Sequence, residues 1–136
     1  RSVPDSVTPP PPASDRIASV DELRRHCGDL IRVGSHTWGH EYLPALGEVE
    51  VKENLVRTLQ WIDAYDGPTS RWLALPYGGG NEHVGRAALD VGHTGVLLIS
   101  GGLWNRRTDR AAVPRMNVPA AVSRRGFDIR VAGLRG

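Results

Sequence analysis

The 136-residue chain has a single cysteine, Cys27, which excludes an internal disulfide and any zinc site built on several thiolates. A bound metal would have to be held by histidine and carboxylate. Long apolar runs are also missing, and none approaches the roughly 18 residues that a helix needs to cross a bilayer. Charge of one sign is not in excess: 17 Lys+Arg against 15 Asp+Glu leave +2, and the arginines are scattered instead of gathered on one face. Nucleic acid is therefore not an expected partner. An initiator methionine and the charged-then-apolar pattern of a signal peptide are absent from the opening "RSVPDSVTPPPPASD". This leads us to expect that processing or truncation has removed an upstream part.

What is present fits one domain with a real core. Residues 1–18, with four consecutive prolines at Pro9 to Pro12, read as an extended arm or loop, and 19–136 as the folded domain. Ser19 and Glu22 have capping-box spacing, so "SVDELRRHCGD" predicts a short helix stopped at Gly28. "LIRVGS" predicts a strand. From Gly47 to Asp66, Val51, Leu55, Leu59 and Ile62 recur at helical spacing, with Glu48, Glu50 and Glu53 near the helix start, where negative charge is favoured. "RWLALP" predicts a second strand, "NEHVGRAALDVG" a helix closed by Gly92, and "TGVLLIS" a third strand. A last helix is expected to start near Ser123. The alternation of helix and strand predicts an α/β fold with parallel strands.

Two stretches carry candidate chemistry. In "GSHTWGH" the spacing of His36 and His40 would put both rings on one helix face, but Gly34, Gly39 and Pro44 disfavour a helix. The pair is expected on a tight loop leaving a strand, where parallel α/β proteins place their sites. Two imidazoles and a carboxylate from elsewhere would make a three-ligand site open to water; surface or hydrogen-bonded histidines are the alternative. In "LALPYGGGNE" a strand runs into a glycine turn whose amides suit an oxyanion, or which is simply a strand-to-helix turn with Asn81 as N-cap.

Together, "GSHTWGHEYLPAL" and, about one helix later, "ALPYG" resemble the polysaccharide deacetylase family, the NodB-homology domain of carbohydrate esterase family 4. The resemblance runs from about residue 19 to 134. It implies a distorted (β/α) barrel, here a partial one with the first β/α units missing. The family's H-[ST]-x-x-[HD] motif falls on His36 and His40 as metal ligands, with Thr37 at the position that steadies the loop. Its R-x-P-Y motif falls on Pro76 and Tyr77, lining the groove, with the Tyr77 amide helping to hold the oxyanion; Ala74 stands where the arginine would be, as in a branch that reads "YPYG". "VPRMNVP" is similar to that branch's late "LPR" segment, which would bring Arg115 to the groove or into a structural salt bridge. The implied cofactor is a divalent metal, zinc by preference, and the implied partner an acetylated polysaccharide met outside the cytoplasm or in the cell envelope.

The family's T-F-D-D motif, source of the catalytic base and third metal ligand, has no counterpart, because no Asp-Asp pair occurs. Its late Leu-His motif is also missing, since the last histidine is His93. Asp5, Asp15 and Asp29, before His36, are the candidates to substitute. Two readings follow: a hydrolase of N- or O-acetyl groups incomplete in this chain, or a non-catalytic carbohydrate-binding or interaction module on a degenerate deacetylase fold. Uncovered barrel strands would favour self-association. Among the other residues, Trp38 is expected to stack on a sugar or pack its loop, and Trp104 lies near the position of a groove aromatic. Trp61 and Trp72 are expected in the core, His26 and His83 in solvent, His93 in a turn without a partner, and Cys27 as an inert thiol.

Overall fold

The computed structural model describes residues 17–100 and 102–133. The proline run, Asp5 and Asp15 lie outside them. Four helices and four strands follow in the order α1 (Val20–His26), β1 (Val33–Ser35), α2 (Glu48–Ala64), β2 (Thr69–Ala74), α3 (Glu82–Asp90), β3 (Gly95–Leu98), β4 (Val113–Pro114) and α4 (Arg124–Val131). The strands form one sheet in the order β1-β2-β3-β4, every pair parallel. The alternation predicts these parallel strands, and the sheet is consistent with the wall of a partial (β/α) barrel, as the resemblance implies.

Local chemistry explains where the helices begin. The Ser19 hydroxyl accepts from the Glu22 amide at 3.3 Å, and the Glu22 carboxylate accepts from the Ser19 amide at 2.7 Å, closing the capping box of α1. At the start of α2, Gly47 has no side chain to make the forward bond. There the Glu50 carboxylate alone takes up the Gly47 amide at 3.0 Å. Asn81 caps α3 through the Val84 amide at 2.9 Å, and Ser123 caps α4 through Gly126 at 3.1 Å.

The apolar stripe of α2 and the inner face of α3 pack on one face of the sheet. Leu43, Val51, Leu55, Leu73, Leu75, Val84, Ala88 and Val96 form the core there. Leu73 pairs with Val96 in the ladder, and both are fully buried on this face. Neighbouring residues alternate to the opposite face, where the Trp72 indole lies over Gly95 and meets the edge of Trp104 at 5.9 Å. Trp72 is thus only half-buried, and Trp61 is 37% exposed, stacked on Tyr65 beside the helix layer. The core places expected for these two indoles are taken by aliphatic side chains instead.

The first strand is shorter than "LIRVGS" predicts. Leu30 is 99% exposed and Ile31 is 57% exposed, because β1 has β2 on one side and, among the described residues, nothing on the other. The second strand starts two residues early and stops before Pro76. Leu75 still donates to Leu97 at 3.3 Å, but proline has no N–H with which to continue the ladder.

Candidate active site

All four strands point the same way, so the loops leaving their C-terminal ends gather on one rim. The first of these runs from His36 to His40 and is not helical. Thr37 (φ 66°) and His40 (φ 62°) both adopt left-handed backbone, as does Tyr77 (φ 58°) in the second loop. These three are the non-glycine residues with positive φ among the described residues. Such conformations cost on the order of 1–3 kcal/mol each and persist only where surrounding contacts hold them. For Thr37, β-branched, the strain is greatest.

The contacts that hold the first loop come from α2. The Asn54 side chain accepts from the Trp38 amide at 3.0 Å and donates to the Glu41 carboxylate at 2.8 Å, and that same carboxylate oxygen accepts from the Gly39 amide at 2.8 Å. Burial works against the charge on Glu41, but the bonds it accepts from its own backbone, Asn54 and Gly39 outweigh this and hold its pKa below the ordinary carboxylate value. Glu41 is therefore an anion committed to bracing the loop. The sequence reading passed over both Glu41 and Asn54; an acid two residues beyond a glycine in a turn is the signal that was available.

In the second loop, Pro76–Gly78 forms a single 3-10 turn. Pro76 is buried beneath it, while the Tyr77 ring is 72% exposed. Gly78 (φ 66°) is required here twice over, for its left-handed backbone and because a Cβ would run into Ile99. The Tyr77 amide donates to no acceptor among the described residues.

The two loops meet. The His36 and His40 rings stand edge to face with centroids 4.9 Å apart, and His40 and Tyr77 do the same at 5.1 Å. His36 Nδ1 lies 2.6 Å from the Ala74 carbonyl. A carbonyl can only accept, so Nδ1 carries the proton and Nε2 keeps its lone pair. The bond fixes the orientation of the ring.

The donor set fits a divalent ion in part. His36 and His40 bring two imidazole nitrogens together on one loop, but no group of three His, Cys, Asp or Glu able to hold a metal forms among the described residues. Asp29, within the described region, does not complete the set.

The remaining candidates divide. Trp38 is 43% exposed, with the Arg57 guanidinium 4.0 Å from its ring centroid, so one of its faces is already covered. It also borders a cleft of about 330 Å³ between β1 and α2, lined with Gly34, His36, Thr58, Trp61 and Ile62. Arg115 leaves the end of β4, its amide bonded to Leu98 at 2.7 Å. It forms no ion pair among the described residues, and its Nε is buried without a hydrogen-bond partner. Trp104 is 62% exposed against Trp72. His26 and His83 are exposed as expected. His93 is not a partnerless turn residue: it is 4% exposed and hydrogen-bonded to Ser35 and Ala88.

Comparison with known proteins agrees with this geometry. The model of the polysaccharide deacetylase family matches residues 14–96. Chitin deacetylase 2 of Saccharomyces cerevisiae is 32% identical over 69 residues, covering 48% of this chain and 21% of the yeast protein. The chain thus aligns with about a fifth of that relative's length. The family match takes in both loops of the rim and the helix that braces them, and the chain belongs to the polysaccharide deacetylase family.

Proposed function

We propose that this chain carries the histidine and oxyanion elements of a metal-dependent hydrolase that removes acetyl groups from an acetylated polysaccharide. The observation behind this reading is the meeting of His36, His40 and Tyr77 on one rim, with His36 bonded through Nδ1 and its Nε2 left free. His36 through Nε2, together with His40, would hold a divalent ion, zinc by donor type, and a carboxylate from outside the described residues would complete the set. When bound, such an ion supplies Lewis acidity toward the acetyl carbonyl and lowers the pKa of a water.

The chain's own groups do the rest. The Tyr77 amide donates to the oxygen that gains charge as the carbonyl is attacked, and loss of one such donor typically costs roughly a hundredfold or more in rate. The half-buried Arg115 side chain and the exposed part of Trp38 offer a polar and an apolar contact to the sugar chain. The family's proton-transfer residues have no counterpart among the described residues, so this chain by itself is a poor catalyst.

The name of the yeast relative makes an N-acetylated polymer of the chitin type the first substrate to test, with O-acetylated polymers next. Such a polymer is met outside the cytoplasm, in secretion or in the cell envelope. The free edge of β1, with Leu30 and Ile31 exposed beside it, is a surface for self-association.

A second reading is favoured by the absence of a third ligand among the described residues: a carbohydrate-binding module that uses the groove without chemistry. Zinc calorimetry on the chain and on a His36→Ala, His40→Ala double variant, together with an acetate-release assay on chitin oligosaccharides, separates the two. Micromolar binding that the double variant loses, with acetate released, is the expected result. Binding that the double variant leaves unchanged sinks the metal reading. Oligosaccharide bound without acetate release supports the module.

A further inference from the structure

Ser35 and His36 are successive residues at the end of β1, and successive strand side chains point to opposite faces. His36 turns to the end of β2 and bonds the Ala74 carbonyl. Ser35 turns into the helix layer, where it is 3% exposed. Its partner there is His93, in the turn between α3 and β3, with Nε2 3.1 Å from the Ser35 hydroxyl oxygen.

The direction of each proton follows from the acceptors. His93 Nδ1 lies 3.2 Å from the Ala88 carbonyl, and the His93 backbone amide donates to the same carbonyl at 2.9 Å. A carbonyl only accepts, so Nδ1 is protonated and Nε2 is the bare acceptor. The Ser35 hydroxyl must therefore donate to Nε2. Burial lowers the pKa of His93, the bond to Ala88 opposes this, and nearby Arg71 adds to the lowering. The ring is thus kept in the neutral form that this arrangement requires.

The bond joins residues 58 apart and connects β1 to the turn before β3, two strands that are not neighbours. Helix α3 begins at Glu82, after the Pro76–Gly78 turn, and ends at Asp90, just before His93, so the bond ties Ser35 to the far end of the helix that follows the Tyr77 loop.

We propose that His93 is a positioning residue for the metal-binding loop: its Nε2 clamps Ser35 from the helix side, and through Ser35 it sets the orientation of the His36 imidazole. The proposal rests on the reading of His36 and His40 as metal ligands. Its structural half concerns His36 alone.

Two variants test it. His93→Phe keeps a packed ring and removes the acceptor, and Ser35→Ala removes only the donating hydroxyl. The readouts are zinc affinity by calorimetry, the melting temperature, and the His36 ring resonances by NMR, whose Nδ1 proton reports the bond to Ala74. We expect each variant to weaken histidine-dependent zinc binding about tenfold, the lower end of what loss of an outer partner costs a metal site. The double variant should be no weaker than either single one, and the His36 Nδ1 proton should shift or broaden in all three. A folded Ser35→Ala protein with unchanged zinc affinity and unchanged His36 resonances overturns the proposal, even if His93→Phe fails to fold. If the parent chain shows no histidine-dependent zinc binding, the metal reading fails instead, and the His36 resonance still decides whether His93 positions that ring.

Discussion

His93 shows how one side chain's surroundings decide its chemistry. Its pKa is lowered from the ordinary 6.5, chiefly by burial. The folded state therefore binds fewer protons than the unfolded state wherever the unfolded ring is charged. Stability from this group is complete above about pH 6.5 and is lost as the pH falls from there through the lower folded value. Urea midpoints measured in metal-free buffer should accordingly drop between neutral pH and pH 5, and His93→Phe should flatten that part of the profile. A wild-type profile already flat there would contradict the assignment. No local pattern reveals this histidine, because its partner Ser35 is 58 residues away. His36, His40, Pro76 and Tyr77 are legible because each pair lies within a few residues and carries a recognisable spacing. Glu41 and Asn54, which hold the first loop in its strained form, act across 13 residues and leave no such mark.

Helices proved more legible than strands, for a physical reason. Asn81, Ser123 and the Ser19–Glu22 pair are self-contained start signals that act within three residues. A strand's extent depends on its partner, which local sequence does not name. "LIRVGS" carries Leu30, Ile31 and Val33, yet only Val33–Ser35 pairs, because β2 reaches no further on that side. A place within a helix or a strand does not say which face a side chain takes, so Trp61 and Trp72 miss the core expected of them, and Trp72 lies over Gly95 on the face away from α2 and α3. Helix α3 offers a test of how tightly its layer is packed. A Cβ at Gly85 would meet the Ala111 backbone carbonyl, which cannot swing away as a side chain could. Overpacking costs about 1–3 kcal/mol, against roughly 1 kcal/mol that alanine gains over glycine in a helix. Gly85→Ala should therefore lower stability by about 1 kcal/mol in a urea titration, whereas helix propensity alone predicts a gain.

Taken whole, the described molecule is a sheet covered by α2 and α3 on one face and open at β1. Leu30 and Ile31 stand exposed beside that edge, and the cleft lined with Trp61 and Ile62 adjoins it. Sedimentation velocity over a hundredfold range of concentration should show association, and Leu30→Lys with Ile31→Lys should reduce it, since charge beside an edge discourages pairing. A monomer at every concentration would remove the edge from consideration.

The all-parallel ladder also governs how the chain comes to fold. No tight hairpin can join neighbouring strands here, so no pair of strands can form from adjacent residues. The bond from His36 to Ala74 closes across 38 residues and that from Ser35 to His93 across 58. Loop closure of this length must come before the contacts that reward it, which puts such topologies among the slower folders. The rim is therefore among the last parts to acquire its shape during refolding, and newly made chains pass through a period in which both histidines exist without a site to belong to.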